Sequence, residues 1–152
     1  MEDTREFTIA VLKDLIQSCI EEQSLFNRAS KKISDPKLLL TISNNSKEKA
    51  NYISKLEREI KRLGGSLSYQ DNMEKNFNNS NDTIADYDDD RILLECVNKD
   101  VMTLNMYSNA IKEEILWEVI PLVAKQYFES QSMHESLMRS FDKFQRTQFN
   151  IA

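Results

Sequence analysis

Glycine and proline each occur only twice in 152 residues. A strand-rich fold needs many tight turns, and turns draw on those residues. Their scarcity argues against a sandwich or barrel and favours a few long helices with few connections. Basic charge is also in deficit, with a formal net charge of -5. Binding to a phosphate backbone requires a basic surface, so nucleic acid is not an expected partner. No apolar run reaches 18 residues, so no membrane span is expected. The opening Met1-Glu2-Asp3-Thr4-Arg5-Glu6 carries acids. It lacks the basic start and apolar stretch of a signal peptide, which makes the cytoplasm the expected compartment. There is no glycine-rich phosphate loop and no Cys-x-x-Cys. Cys19 and Cys96 fall on apolar helix faces and are expected to be small buried hydrophobes.

What is present is helical periodicity, in a length that suits one ordinary domain. Leu12, Leu15, Ile16, Cys19, Ile20, Phe26 and Ile33 recur at steps of three and four, giving one apolar stripe. Asp35 suits a helix N-cap and Pro36 the first helical position. A second stripe holds Leu39, Ile42, Ala50, Ile53, Leu56, Ile60 and Leu63, ended by Gly64-Gly65. Residues 66–88 are rich in Asn, Ser and Asp, with Met73 and Phe77 as isolated anchors, and read as a long connection. The third stripe is Leu93, Val97, Leu104, Ile111 and Ile115, flanked by Cys96, Val101 and Tyr107. The fourth is Val123, Tyr127, Met133, Leu137, Phe141 and Phe144. Helices are expected over about 4–32, 36–63, 89–115 and 119–147. No clean cap marks the break near Leu116–Glu118. Two hairpins joined by a crossover long enough to run the length of the bundle is the arrangement of ferritin-like folds.

Four polar residues fall where the stripes demand apolar ones. At about 100° per residue, Gln23, Lys49, Asp100 and the single histidine, His134, occupy the inner faces of the four helices. Counted from the two hairpin turns they lie at one level, which predicts a polar layer across the middle of the bundle. Di-metal carboxylate bundles need a Glu from each of two helices and Glu-x-x-His from each of the other two. One histidine cannot supply two such motifs. Gln131-Ser132-Met133-His134 has an amide where a carboxylate is required, and an ammonium is not a ligand at all. The expectation is therefore a structural layer with no cofactor, in which Lys49 pairs with Asp100. The alternative is a weak iron or zinc site on Asp100, His134 and Gln131. A hydrolase triad of Ser130 and His134 lacks evident oxyanion donors.

Several segments resemble an uncharacterised bacterial ferritin-like family. They are residues 12–22 (Leu-Lys-Asp-Leu-Ile-Gln-Ser-Cys-Ile-Glu-Glu), Asp35-Pro36, the helix end at 56–65 (Leu-Glu-Arg-Glu-Ile-Lys-Arg-Leu-Gly-Gly), residues 94–100 (Leu-Glu-Cys-Val-Asn-Lys-Asp) and His134. The resemblance covers most of the chain outside 66–88. It implies a ferritin-like four-helix bundle and relatives with Glu at the positions of Gln23 and Asp100. The expected role is a non-enzymatic bundle that forms a homodimer or binds a protein partner. Trp117, Phe128, Phe144, Phe149 and the pair Met73 and Phe77 are the candidate contact residues. A metal-binding or oxidoreductase protein with a reduced site is the competing expectation.

Overall fold

A computed structural model describes the backbone of residues 2–67 and 88–148. Four helices account for it: α1 (Glu2–Ser30), α2 (Pro36–Arg62), α3 (Asp89–Lys112) and α4 (Ile120–Gln148). No described residue is in a strand. No described helix is long and apolar enough to cross a membrane.

The helix ends follow from local chemistry at three places. The Asp35 carboxylate accepts from the Leu38 amide at 2.9 Å, and Pro36 opens α2. Asp88 does the same for Arg91 at the start of α3. At the end of α2, Gly64 takes a left-handed φ of 83°. Its amide donates to Lys61 and that of Gly65 to Ile60, which satisfies two orphan carbonyls in a Schellman turn. A Cβ on Gly65 would meet Ile60 Cγ2 at 2.7 Å, so this turn packs back on its own helix.

The second hairpin closes differently. α3 stops at Lys112 rather than near 115, with Glu113 extended at ψ 162°. The Leu116 amide then donates to Thr8 Oγ1 on α1 at 3.0 Å. The connection, which has no clean cap in the local sequence, is tied to α1 by a side chain 108 positions away.

Cross-helix pairs give the topology. Thr8 with Leu116, Ser18 with Thr103 and Glu21 with Lys99 run in opposite order along α1 and the α3 side of the bundle. Thr41 with Ser140, Lys49 with Ser130 and Tyr52 with Glu129 do the same for α2 and α4. The principal neighbours of α1 are α2 and α3, and those of α4 are α2 and α3. Thus α2 and α3 are parallel and diagonal. The end of α2 and the start of α3 lie at opposite ends of the bundle, so their link must return its length. Most of the expected connection, with Met73 and Phe77, lies outside the described residues. Leu67, just before, packs against the core.

That core is split in two. One cluster includes Leu12, Leu15, Ile16, Tyr52, Leu56, Ile60, Tyr107 and Val123. The other includes Phe26, Leu38, Ile42, Ile92, Leu93, Cys96, Leu137 and Phe141. Every helix contributes to both. Ala50, expected inside, is exposed. Tyr52 fills the α2 face instead and is 1% exposed.

Candidate functional site: a charged layer at mid-height

Between the two apolar clusters each helix presents polar groups. On α1, beside Ile9, Ile16 and Ser18, the buried positions include Thr8, Leu12, Leu15, Cys19, Glu22, Phe26 and Ala29. Their steps alternate four and three, a 3.5-residue seam like that of a coiled coil. Position 22 lies on this seam, and position 23, about 100° further round from it, falls at the seam's edge. The structure accordingly corrects one expectation: Gln23 is half-buried at the margin, and Glu22, fully buried, enters the layer. The steps through Cys19, Phe26 and Ala29 were the available signal for this.

Lys49, Asp100 and His134 do come together. The Lys49 ammonium lies 3.5 Å from Glu22 Oε2 and 3.9 Å from Asp100 Oδ1. It donates to Ser130 Oγ at 3.3 Å, and the Tyr52 ring centroid is 5.4 Å away. His134 Nδ1 sits 2.7 Å from Asp100 Oδ2. The side chains of Glu22, Lys49 and Asp100 are 0% exposed, and that of His134 is 20% exposed. His134 is therefore the solvent-facing edge of an otherwise sealed group. Gln131 stands apart, donating to Tyr127 Oη at 2.9 Å.

A second tier stitches the helices together one turn away. Tyr107 Oη donates to Gln126 Oε1 at 2.6 Å. Gln126 Nε2 donates to the Tyr52 carbonyl at 3.4 Å. Cys19 Sγ lies 3.5 Å from Tyr107 Oη, so this chain touches all four helices. Ser18 and Thr103 share a hydrogen bond of 2.7 Å. Sequence reasoning missed Tyr52, Thr103 and Gln126, because each is chemically ordinary on a helix face and gains its role from a partner on another helix.

Burial dominates the electrostatics. It pushes Glu22 up to about 8; the Lys49 charge opposes this and Asp100 adds to it. Burial also works to raise Asp100. The hydrogen bond with His134, the neighbouring Glu22 and the Lys49 charge outweigh it and hold the carboxyl below its ordinary value. Burial would lower Lys49, but Glu22, Cys19 and Asp100 together raise it. The layer thus favours an ammonium facing one firm carboxylate and one carboxyl that keeps its proton.

A metal centre does not fit this donor set. The Lys49 ammonium lies 3.5 and 3.9 Å from the two carboxyls, and a cation placed beside them would be repelled by its positive charge. Among the described residues, no three His, Cys, Asp or Glu side chains are placed to hold a metal ion.

Residues 7–113 match the family described as a domain of unknown function, DUF2383. The chain is a DUF2383 protein. The match covers the α1–α2 hairpin and α3 almost whole, and with them Glu22, Lys49 and Asp100. Ser130 and His134, on α4, lie beyond the DUF2383 match. No curated protein matches the chain.

Proposed function

We propose that this DUF2383 protein is a non-enzymatic bundle of ferritin-like type, resident in the cytoplasm, whose central metal layer is replaced by an internal ammonium. The observation that carries the reading is Lys49, 0% exposed, set between Glu22, Asp100 and Ser130. In ferritin-like carboxylate proteins the inward-facing layer holds the metal ions. A lysine there supplies the compensating charge from the chain itself, so the layer serves cohesion.

Function then belongs to the outer surface, through self-association or a protein partner. Trp117 is 80% exposed, Phe128 64% and Leu40 63%. Leu94 and Val101, seven residues apart on α3, are also exposed. Large apolar side chains held in water favour association when they are covered, and a symmetric pair is the commonest solution. Phe144, another candidate contact, packs against the core; Phe149 lies outside the described residues. Light scattering at high micromolar concentration is expected to give a dimer mass that Trp117→Ser with Phe128→Ser shifts toward monomer. A monomer at all concentrations would leave only the heterologous partner. Calorimetric titration of the purified protein with iron(II) and zinc is expected to show no stoichiometric binding. Tight stoichiometric uptake would overturn the ammonium-layer reading.

A further inference from the structure

The layer contains two carboxyls, one ammonium and one imidazole, each from a different helix. Burial pushes the Cys19 thiol of α1 up to about 11. It also raises Tyr52 of α2 and Cys96 and Tyr107 of α3 well above their ordinary values. Lys99 of α3 is paired with Glu21 of α1, and Glu129 of α4 accepts from the Tyr52 hydroxyl. Neither oxygen of Glu22 accepts a hydrogen bond, and Asp100 Oδ1 accepts none. An ionised Glu22 in that setting would rely on the Lys49 ammonium, 3.5 Å away and shared with Asp100, to offset its burial. A protonated one carries no charge to offset.

We propose that this layer is a pH-operated joint: one exchangeable proton on Glu22, in contact with solvent through Asp100 and the exposed edge of His134, keeps the layer neutral. Among Glu22, Lys49 and Asp100, the ammonium and the Asp100 carboxylate cancel. Release of the Glu22 proton to solvent leaves two carboxylates facing one ammonium, a net charge of -1 sealed between two apolar clusters. The bundle loosens at mid-height, between the two apolar clusters, and its two ends hold. This goes beyond the cohesive role proposed above, which a layer of fixed protonation would fill equally well. The sign is set by Glu22. Burial pushes it up to about 8 in the folded chain, above its ordinary 4.5. The contribution is therefore complete below the lower value and is lost as pH rises through the higher one. Asp100 acts in the opposite sense, its contribution being lost only on acidification through its lowered value.

Amide hydrogen exchange of the full chain, corrected for the intrinsic rate at each pH, tests this. Peptides from the middle of α1 and α3 are expected to exchange about tenfold or more faster at pH 9 than at pH 6. Peptides from the two apolar ends should change little. Glu22→Gln, isosteric and without a titrating proton, should abolish the pH dependence. Parallel profiles for wild type and variant, or a flat wild-type profile, would remove the joint. Should the variant fail to fold, carboxyl carbon-13 NMR of the wild type decides. Glu22 titrating in the ordinary carboxylate range would sink the idea, and a midpoint near neutrality or above supports it.

Discussion

The apolar clusters and the charged layer between them bury side chains equally well, yet they are held by different physics. Leu12, Ile16, Leu56 and Ile60 are 0% exposed, as are Glu22, Lys49 and Asp100. In the clusters each side chain contributes through area and packing, roughly independent of pH and of any single neighbour. In the layer no member is favourable alone. Each charge is tolerable only because another stands within a few ångströms. A core of one kind degrades gradually under substitution, and a layer of the other kind fails as a unit.

The largest expected effect lies in the layer. Asp100→Ala removes a partner of both Lys49 and His134 and should cost about 3–5 kcal/mol in denaturant unfolding. Replacing Lys49 by Met and Asp100 by Leu together should cost far less, and a stabilised double variant would be no surprise. If the two single losses simply add, the coupling that separates layer from cluster is absent.

Leu56→Ala provides the comparison. It should cost about 2–5 kcal/mol by lost transfer and a residual cavity. The loss should be the same at pH 6 and pH 9, whereas the Asp100→Ala loss should change with pH. A pH-dependent Leu56→Ala effect would show that the clusters feel the layer's charge.

Tyr107→Phe tests the tier between the two regimes. It leaves Gln126 Oε1 and Cys19 Sγ without the phenol while keeping the apolar ring. The expected loss is about 1–3 kcal/mol. A smaller value would place this tier with the clusters.

The smallest effects concern the hairpin ends. Asp35→Ala removes a helix cap and Thr8→Val the hydrogen bond that ties the α3–α4 connection to α1; each should cost about 1 kcal/mol. Their consequences should differ in exchange experiments. The first frays the start of α2, and the second frees residues 113–119 and the end of α3. Fraying confined to α1 in the Thr8 variant would break the assignment of Thr8 as the tie that holds this connection.

Much of this was legible from the chain alone, because it depends on neighbours in sequence. Scarce glycine and proline, stripes at steps of three and four, the Asp35-Pro36 start and the Gly64-Gly65 stop define the first hairpin and the helical class. They act within one or two turns of their own backbone. Lys49, Asp100 and His134 were also legible as polar intrusions on apolar faces. What the chain alone left undetermined depends on groups distant in sequence. That Glu22 rather than Gln23 faces inward is set by how α1 packs against α2 and α3, a property of the assembly. The break after Lys112 is held by Thr8, about a hundred residues earlier. Whether Glu22 keeps its proton depends on the ammonium and carboxylate brought beside it from α2 and α3, and on the water that all four helices exclude. Local periodicity determined which faces turn inward; only the tertiary structure decided which charges meet there and in what protonation state.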